Sequence, residues 1–248
     1  MCGKTNSMLE KIDTNGPAHL NKETIKEENK VLIAKIETIQ RILFAEEKHS
    51  LLIILQGVDA AGKDGTVKSI LGGVNPLGCD VYSFKKPTEE EFGYDFLWRV
   101  HKIVPRKGII HIFNRSHYED ILVPSVEGYY SKEQIDRRYD HINNFEALLA
   151  DHGTKVLKFY LHISKEEQLK RLTERIENPE KYWKHNDGDW ESREKWDAYM
   201  KVYETIFEKC NQPEWHIIPS DRNWVKVNTR SEERRVGKEC RSRWSPYH

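Results

Sequence analysis

The sequence predicts an α/β fold in which a parallel sheet is covered by helices on both faces. Three features carry this reading: five short apolar runs of strand type, helical segments between them, and a glycine-rich loop directly after the first run. With 248 residues, 38% of them apolar and 10% aromatic, the chain can bury the core of one such domain.

Residues 1–21 are expected to be a disordered N-terminal segment, and the domain itself to run over 22–229. Ile25, Leu32, Ile33, Ile36, Ile39 and Leu43 recur at helical spacing with charges between them, so 22–47 reads as a long amphipathic helix. "LLIILQ" (51–56) is a buried strand ending in the glycine loop, and the loop should open a helix over 62–71. Further strands are "CDVYSF" (79–84), "IIHIFN" (109–114), "KVLKFYLHI" (155–163) and "WHIIPS" (215–220). Helices are expected over 89–101, 132–151, 164–177 and 193–209. No internal repeat or low-complexity tract interrupts the series.

Lys plus Arg and Asp plus Glu are equal at 40 each, so no global field draws the chain to nucleic acid or to an acidic membrane. An anionic partner must be held by a local basic cluster. The four cysteines show no metal-binding spacing and follow no secretory signal, which reads as reduced thiols in a cytoplasmic protein. No run approaches the roughly 18 apolar residues of a membrane span. The last residues, "RSEERRVGKECRSRWSPYH" (230–248), lack periodicity and resemble a translated sequencing adapter, so they are read as a non-native tail. Without its six basic and three acidic residues the chain holds 34 basic against 37 acidic. The alternative is a natural basic tail that binds nucleic acid.

"GVDAAGKDGT" (57–66) has the spacing of a phosphate-binding loop, and the phosphate-loop residues are Gly57, Gly62, Lys63, Asp64, Gly65 and Thr66. Between a buried strand and a helix, such a loop converges backbone N–H groups on phosphate oxygens. The helix dipole lies behind them and the Lys63 ammonium reaches over. Asp59 and Asp64 would repel phosphate unless a cation lies between, because like charges a few ångströms apart cost several kcal/mol. Magnesium, bound by one or two carboxylates plus phosphate oxygens, resolves the conflict. The alternative for Asp64 is a cap on the following helix.

"FNRSHYEDILV" (113–123) lies at the carboxyl end of an apolar strand, the edge where open parallel sheets bind ligands. Asn114 stands where phosphate-loop enzymes often place an Asp. Arg115 offers a rigid fork of donors to phosphate oxygens, and Glu119 adds a carboxylate. Alternatively, Arg115 and Glu119 only pair with each other on a surface helix.

These two stretches, with "VNPLG", "PTEEEFGYDFLWRVH", "VPRKG" and "LHISKEEQLKRLTERIENPEKYWK", resemble the type 2 polyphosphate kinase family over roughly residues 42–224. "FNRSHYED" and "NPEKYWK" are most similar to the subgroup that phosphorylates both AMP and ADP. The resemblance implies a three-layer α/β/α kinase domain, thymidylate-kinase-like, here with a five-stranded parallel sheet. It also implies reversible, Mg2+-dependent transfer between inorganic polyphosphate and AMP, ADP or ATP, and assembly as a homodimer or homotetramer. By the same resemblance, Lys63, Asp59, Arg115 and Glu119 are catalytic, with Lys63 on the transferred phosphoryl group. Asp59 and Asp64 position metal, and Asn114, an Asp in many members, is a weaker, water-assisted contact.

The segment 166–192 resembles the lid of such kinases. Arg171 and Arg175, four apart on a helix, share a face suited to closing on phosphates, or else pair with Glu167 and Glu174 as surface charge. Among the local basic residues, Lys85, Arg99 and Arg106 are assigned to a polyphosphate or nucleotide-phosphate groove. Trp98 either stacks on a base or joins the core. Two other functions share the loop: an ATP-dependent nucleotide kinase, and a non-catalytic nucleotide-binding regulator.

Overall fold

A computed structural model describes residues 8–225, so the tail assigned to 230–248 lies outside the described residues. Five strands form one parallel sheet in the order β2-β3-β1-β4-β5: β1 (Ser50–Gln56), β2 (Cys79–Ser83), β3 (Ile110–Asn114), β4 (Thr154–His162) and β5 (Trp215–Pro219). The helices are α1 (Lys22–Glu46), α2 (Lys63–Leu71), α3 (Glu89–Phe92), α4 (Trp98–His101), α5 (Glu119–Glu127), α6 (Lys132–Asp151), α7 (Lys165–Glu177), α8 (Asp187–Glu194) and α9 (Trp196–Lys209).

Successive side chains of a strand point to opposite faces, and each face of the sheet has its own core. Leu52 and Ile54 of β1 pack with α5, α6 and α9, through Ile121, Ile142, Phe145, Ile206 and Phe207 among others. Ile53 and Leu55 pack on the other face with Leu43 of α1 and Val67 of α2. The three-layer α/β/α arrangement follows.

Local signals account for most boundaries. The Asn21 side chain accepts from the N–H groups of Glu23 and Thr24 at the start of α1, and Ser131 and Gln134 form a capping box on α6. The helix expected over 89–101 is instead broken into α3 and α4. Gly93 ends the first piece, and the Asp95 carboxylate accepts from Leu97 N at 3.0 Å in the turn between them. Two helices fall outside the expected set: α5, which holds Pro124 in its interior, and α8, a short polar segment. The disorder expected over 1–21 does not extend through its described part. Leu9 is buried in the core beside α9, its N–H bonds Glu204 at 2.8 Å, and Thr14 bonds Asp221 at 2.6 Å.

Candidate active site

The loop after β1 is shaped by backbone that few residues adopt. Gly57 has φ +152°, and a Cβ there would lie 2.9 Å from the carbonyl oxygen of Leu161, so glycine is required. Gly62, left-handed at φ +97°, starts α2, and Lys63 is its first residue. Lys63 is buried and its ammonium folds back over the loop, donating to Gly57 O at 2.7 Å and Val58 O at 3.0 Å.

Strand register brings the second stretch alongside. Leu55 of β1 lies opposite Asn114 of β3, and Arg115 N donates to Leu55 O at 3.0 Å. Arg115 then takes φ +62°, a conformation in which a non-glycine residue is strained. The bend turns its guanidinium onto Asp59 of the loop, with Glu119, the first residue of α5, at 3.7 Å. Asn114 Nδ2 donates to Asp64 Oδ1 at 2.9 Å, and Lys184 lies 3.6 Å from the other Asp64 oxygen. Asp64 therefore does not cap α2; its side chain reaches across to β3 and to the segment after α7.

Burial sets the electrostatics. It lowers the Lys63 pKa to about 8, with the Arg115 charge adding to the effect and Asp59, Glu119 and Asp64 opposing it. Burial also raises the Glu119 carboxyl, against the pull of Arg115 and Lys63. Burial would raise Asp64 too, but its hydrogen bond from Asn114 and the Lys184 charge hold it below the usual carboxylate range. The guanidinium of Arg115 is held more firmly protonated than usual, chiefly by Glu119. Three cations, Lys63, Arg115 and Lys184, thus lie among Asp59, Asp64 and Glu119 at the mouth of one loop.

The arginines of α7 do something other than line this mouth. Arg171 donates to the carbonyls of Ala60, Ala61, Ser220 and Asp221 at 2.7–3.3 Å, and its Nε bonds Glu167 at 2.9 Å. It braces the phosphate loop against the end of β5. Arg175 pairs with Asp189 of α8 at 2.6 Å and bonds Lys184 O, while Glu174 pairs with Lys181. Gln168 Nε2 also holds the loop, through Asp59 O at 3.0 Å. Gln168, Lys184 and Asp189 are site neighbours that the sequence reading passes over. Gln168 and Lys184 lie in "LHISKEEQLKRLTERIENPEKYWK" and all three lie within 166–192, but no individual role follows for them from the sequence.

Of the residues assigned to the groove, Arg99 is held by other protein groups. Arg99 is buried, bonds Asp120 at 2.9 Å and Lys85 O at 3.0 Å, and lies 3.5 Å from Glu91, which occupies its guanidinium. The Lys85 and Arg106 side chains are exposed. Trp98 is half-buried, stacked on Tyr94 at 3.9 Å with the Lys102 ammonium 3.1 Å from its ring centre.

A family model described as Polyphosphate kinase 2 (PPK2) matches residues 19–232. The chain belongs to the polyphosphate kinase 2 family. An AMP/ADP-polyphosphate phosphotransferase of Meiothermus ruber is 50% identical over 198 residues, covering 79% of this chain and 74% of that one. An ADP-polyphosphate phosphotransferase of Rhodopseudomonas palustris is 39% identical over 220 residues, 83% of this chain and 76% of that one. Among solved structures, a polyphosphate kinase 2 of Arthrobacter aurescens TC1 superposes with a TM-score of 0.86 at 37% identity, covering 93% of this chain and 84% of the other.

The donor set of this polyphosphate kinase 2 family member fits a hard cation that the protein only partly encloses. Asp59 and Asp64 place carboxylates near Lys63, and Asn114 is tied to Asp64 through its Nδ2 at 2.9 Å. Yet among the described residues no three carboxylate, imidazole or thiol groups converge into a metal cage. A cation here would complete its shell with phosphate oxygens and water, as magnesium commonly does.

Proposed function

We propose that this chain moves the terminal phosphoryl group of inorganic polyphosphate onto AMP and ADP, reversibly. The observation that carries it is the cluster of Lys63, Arg115, Asp59 and Glu119 at the loop mouth, in a chain half identical to a phosphotransferase named for those substrates. In the reaction a bridging P–O bond of polyphosphate breaks and a nucleotide phosphate oxygen forms the new bond to phosphorus. The shortened polyphosphate leaves with the electron pair. Such a transfer asks the protein mainly for positioning and charge stabilisation.

Each residue has a task. Arriving phosphate oxygens take the Lys63 ammonium from the Gly57 and Val58 carbonyls, and loop N–H groups converge on the same oxygens. Arg115, poised between Asp59 and Glu119, supplies a second fixed cation. Asp59 and Asp64 would hold Mg2+, with Asn114 acting through water, and that ion supplies charge neutralisation at the phosphates. In this reading 166–192 forms the lid, tied to the loop by Lys184 on Asp64. Lys85 and Arg106, both exposed, would line the phosphate groove, and Arg99, paired with Asp120, would brace it from behind.

Two finer points belong to the same proposal. The exposed apolar residues Ile36, Ile39, Ile42 and Phe44 of α1 favour a homodimer or homotetramer, to be checked by light scattering. Cys79 and Cys210 as free thiols suit the cytoplasm, and no helix among the described residues is long and apolar enough to cross a membrane. The function is tested by supplying AMP, then ADP, with Mg2+ and long-chain polyphosphate and no other donor. ADP and then ATP should form; product only when ATP is the donor would make the chain an ordinary nucleotide kinase, and no turnover with either would leave a binding protein.

A further inference from the structure

The turn that carries Arg115 has a buried back. Ser116, His117 and Tyr118 have no exposed surface, and behind them sit two charged side chains that the phosphoryl-transfer chemistry does not use. Lys158 of β4 donates to Glu146 Oε2 at 2.8 Å, to the Cys210 carbonyl at 2.8 Å and to the Tyr118 hydroxyl oxygen at 3.0 Å. Glu146 of α6 accepts from the Tyr118 hydroxyl at 2.9 Å, and its Oε1 lies 3.3 Å from His117 Nε2. Both Lys158 and Glu146 side chains are 0% exposed.

A buried ion pair is a poor device for stability, because apolar side chains of similar volume often serve as well. Its directional hydrogen bonds, however, fix a geometry that apolar contacts leave free. Geometry is what this turn needs: a left-handed Arg115 persists only where its surroundings over-determine it. The front of the turn is held through Ser116 Oγ, which accepts from Gln56 Nε2 at 3.0 Å and from Tyr118 N at 3.2 Å. The back is held through Tyr118 and His117, immediately before Glu119.

We infer that Lys158 and Glu146 are positioning residues for phosphoryl transfer: they lock the 115–119 turn so that Arg115 and Glu119 face Lys63. The inference rests on the reading of this site as a phosphoryl-transfer centre. Neither residue touches the reacting atoms in this scheme; both act through Tyr118 and His117.

The test replaces the pair together, Lys158→Met with Glu146→Met, which leaves no unpaired buried charge. Two measurements follow in the full chain: hydrogen exchange of the 115–119 amides in the ligand-free protein, and kcat and KM with polyphosphate and with ATP as donor. The expected variant is folded, exchanges faster at 115–119 but not in β1, keeps its nucleotide KM within about twofold and loses about tenfold in kcat, the scale of a small misplacement of catalytic groups. Unchanged exchange at 115–119, or unchanged kcat in an active enzyme, overturns the inference, and so does a loss confined to KM. A wild-type protein silent with polyphosphate defeats the proposed function instead, and exchange still decides the positioning. If the double variant does not fold, Glu146→Gln takes its place with an expected kcat loss of about threefold at unchanged KM, and unchanged kcat and exchange again overturn the inference.

Discussion

The 115–119 turn has a charged cluster on each side, and the two differ in their access to water. On the outer side the Arg115 side chain is 38% exposed, and Asp59 and Glu119 are 17% exposed each. On the inner side, Lys158 and Glu146 are sealed. The outer ions can exchange partners when a phosphate arrives, since water and ligand reach them. The inner ions are shut off from water, so removing one leaves the other with neutral hydrogen-bond partners but without its countercharge. Burial would raise the Glu146 carboxyl, but the hydrogen bond from His117 and the Lys158 charge hold it below its ordinary range, so it stays ionised in the core. One cluster is arranged to change and the other to stay.

The inner cluster gives the largest expected effect. Lys158→Met alone leaves Glu146 buried without its countercharge, which should cost about 3–5 kcal/mol, read by urea denaturation. The double replacement proposed above should recover most of that loss. If the single variant is as stable as wild type, the inner cluster is no more fixed than the outer one, and the contrast fails.

Next comes the outer cluster. Lys63→Ala or Asp59→Ala should reduce turnover at least about 10²-fold, the scale for one preorganised charge contact, while the fold survives because these groups sit at the mouth. Steady-state assay with polyphosphate and AMP measures it. Near-normal turnover in either variant removes that residue from the mechanism.

Arg171 lies between the two extremes. Its guanidinium satisfies four carbonyls of the loop and of the chain after β5, so Arg171→Ala should cost about 1–3 kcal/mol and lower the melting temperature by about 5 °C. Arg171→Lys should not restore it, because an ammonium cannot reproduce the planar fork. A loss of turnover with an unchanged melting temperature would instead place Arg171 on substrate phosphates, as the lid reading of the sequence has it.

The sequence carried the framework of this site but not its partner choices. Each of the five strands begins and ends within about a residue of its expected run; burial on both faces writes β1 and β3 as nearly continuous apolar stretches, whereas β2, at the sheet edge, is largely exposed. The loop was plain from Gly57, Gly62 and Lys63, since backbone curvature of that kind demands glycine at fixed spacing. Where a long charged side chain ends is a different matter. Arg171 and Arg175 do share a helix as expected, yet one turns to backbone carbonyls and the other to Asp189, 14 residues on. Arg99 looked like a groove residue and is a buried brace on Asp120. Such choices depend on which carboxylate or carbonyl the fold brings near, and periodicity is silent on that. The Glu146–Lys158 pair was invisible for the same reason: each residue sits on an otherwise ordinary helix or strand, and only the tertiary fold makes them neighbours.

The smallest predicted effect separates what Lys63 does for stability from what it does for the reaction. Its folded pKa, about 8, lies below the ordinary 10.5, with burial the first cause and Arg115 the second. The unfolded chain therefore binds more protons than the folded one between those values, and stability rises as pH climbs through that window. From pH 7 to pH 9 the gain from this group is about 1 kcal/mol. Activity should run the other way, because kcat/KM reports the free enzyme and needs the protonated ammonium, so it should fall above about pH 8. Lys63→Met removes the titration: the variant should melt above wild type at pH 7, with the difference narrowing by pH 9. A variant that melts below wild type at pH 7 would mean that the bonds to Gly57 and Val58 outweigh burial, and Lys63 would then belong with the fixed charges of the interior rather than with the exchangeable ones at the mouth.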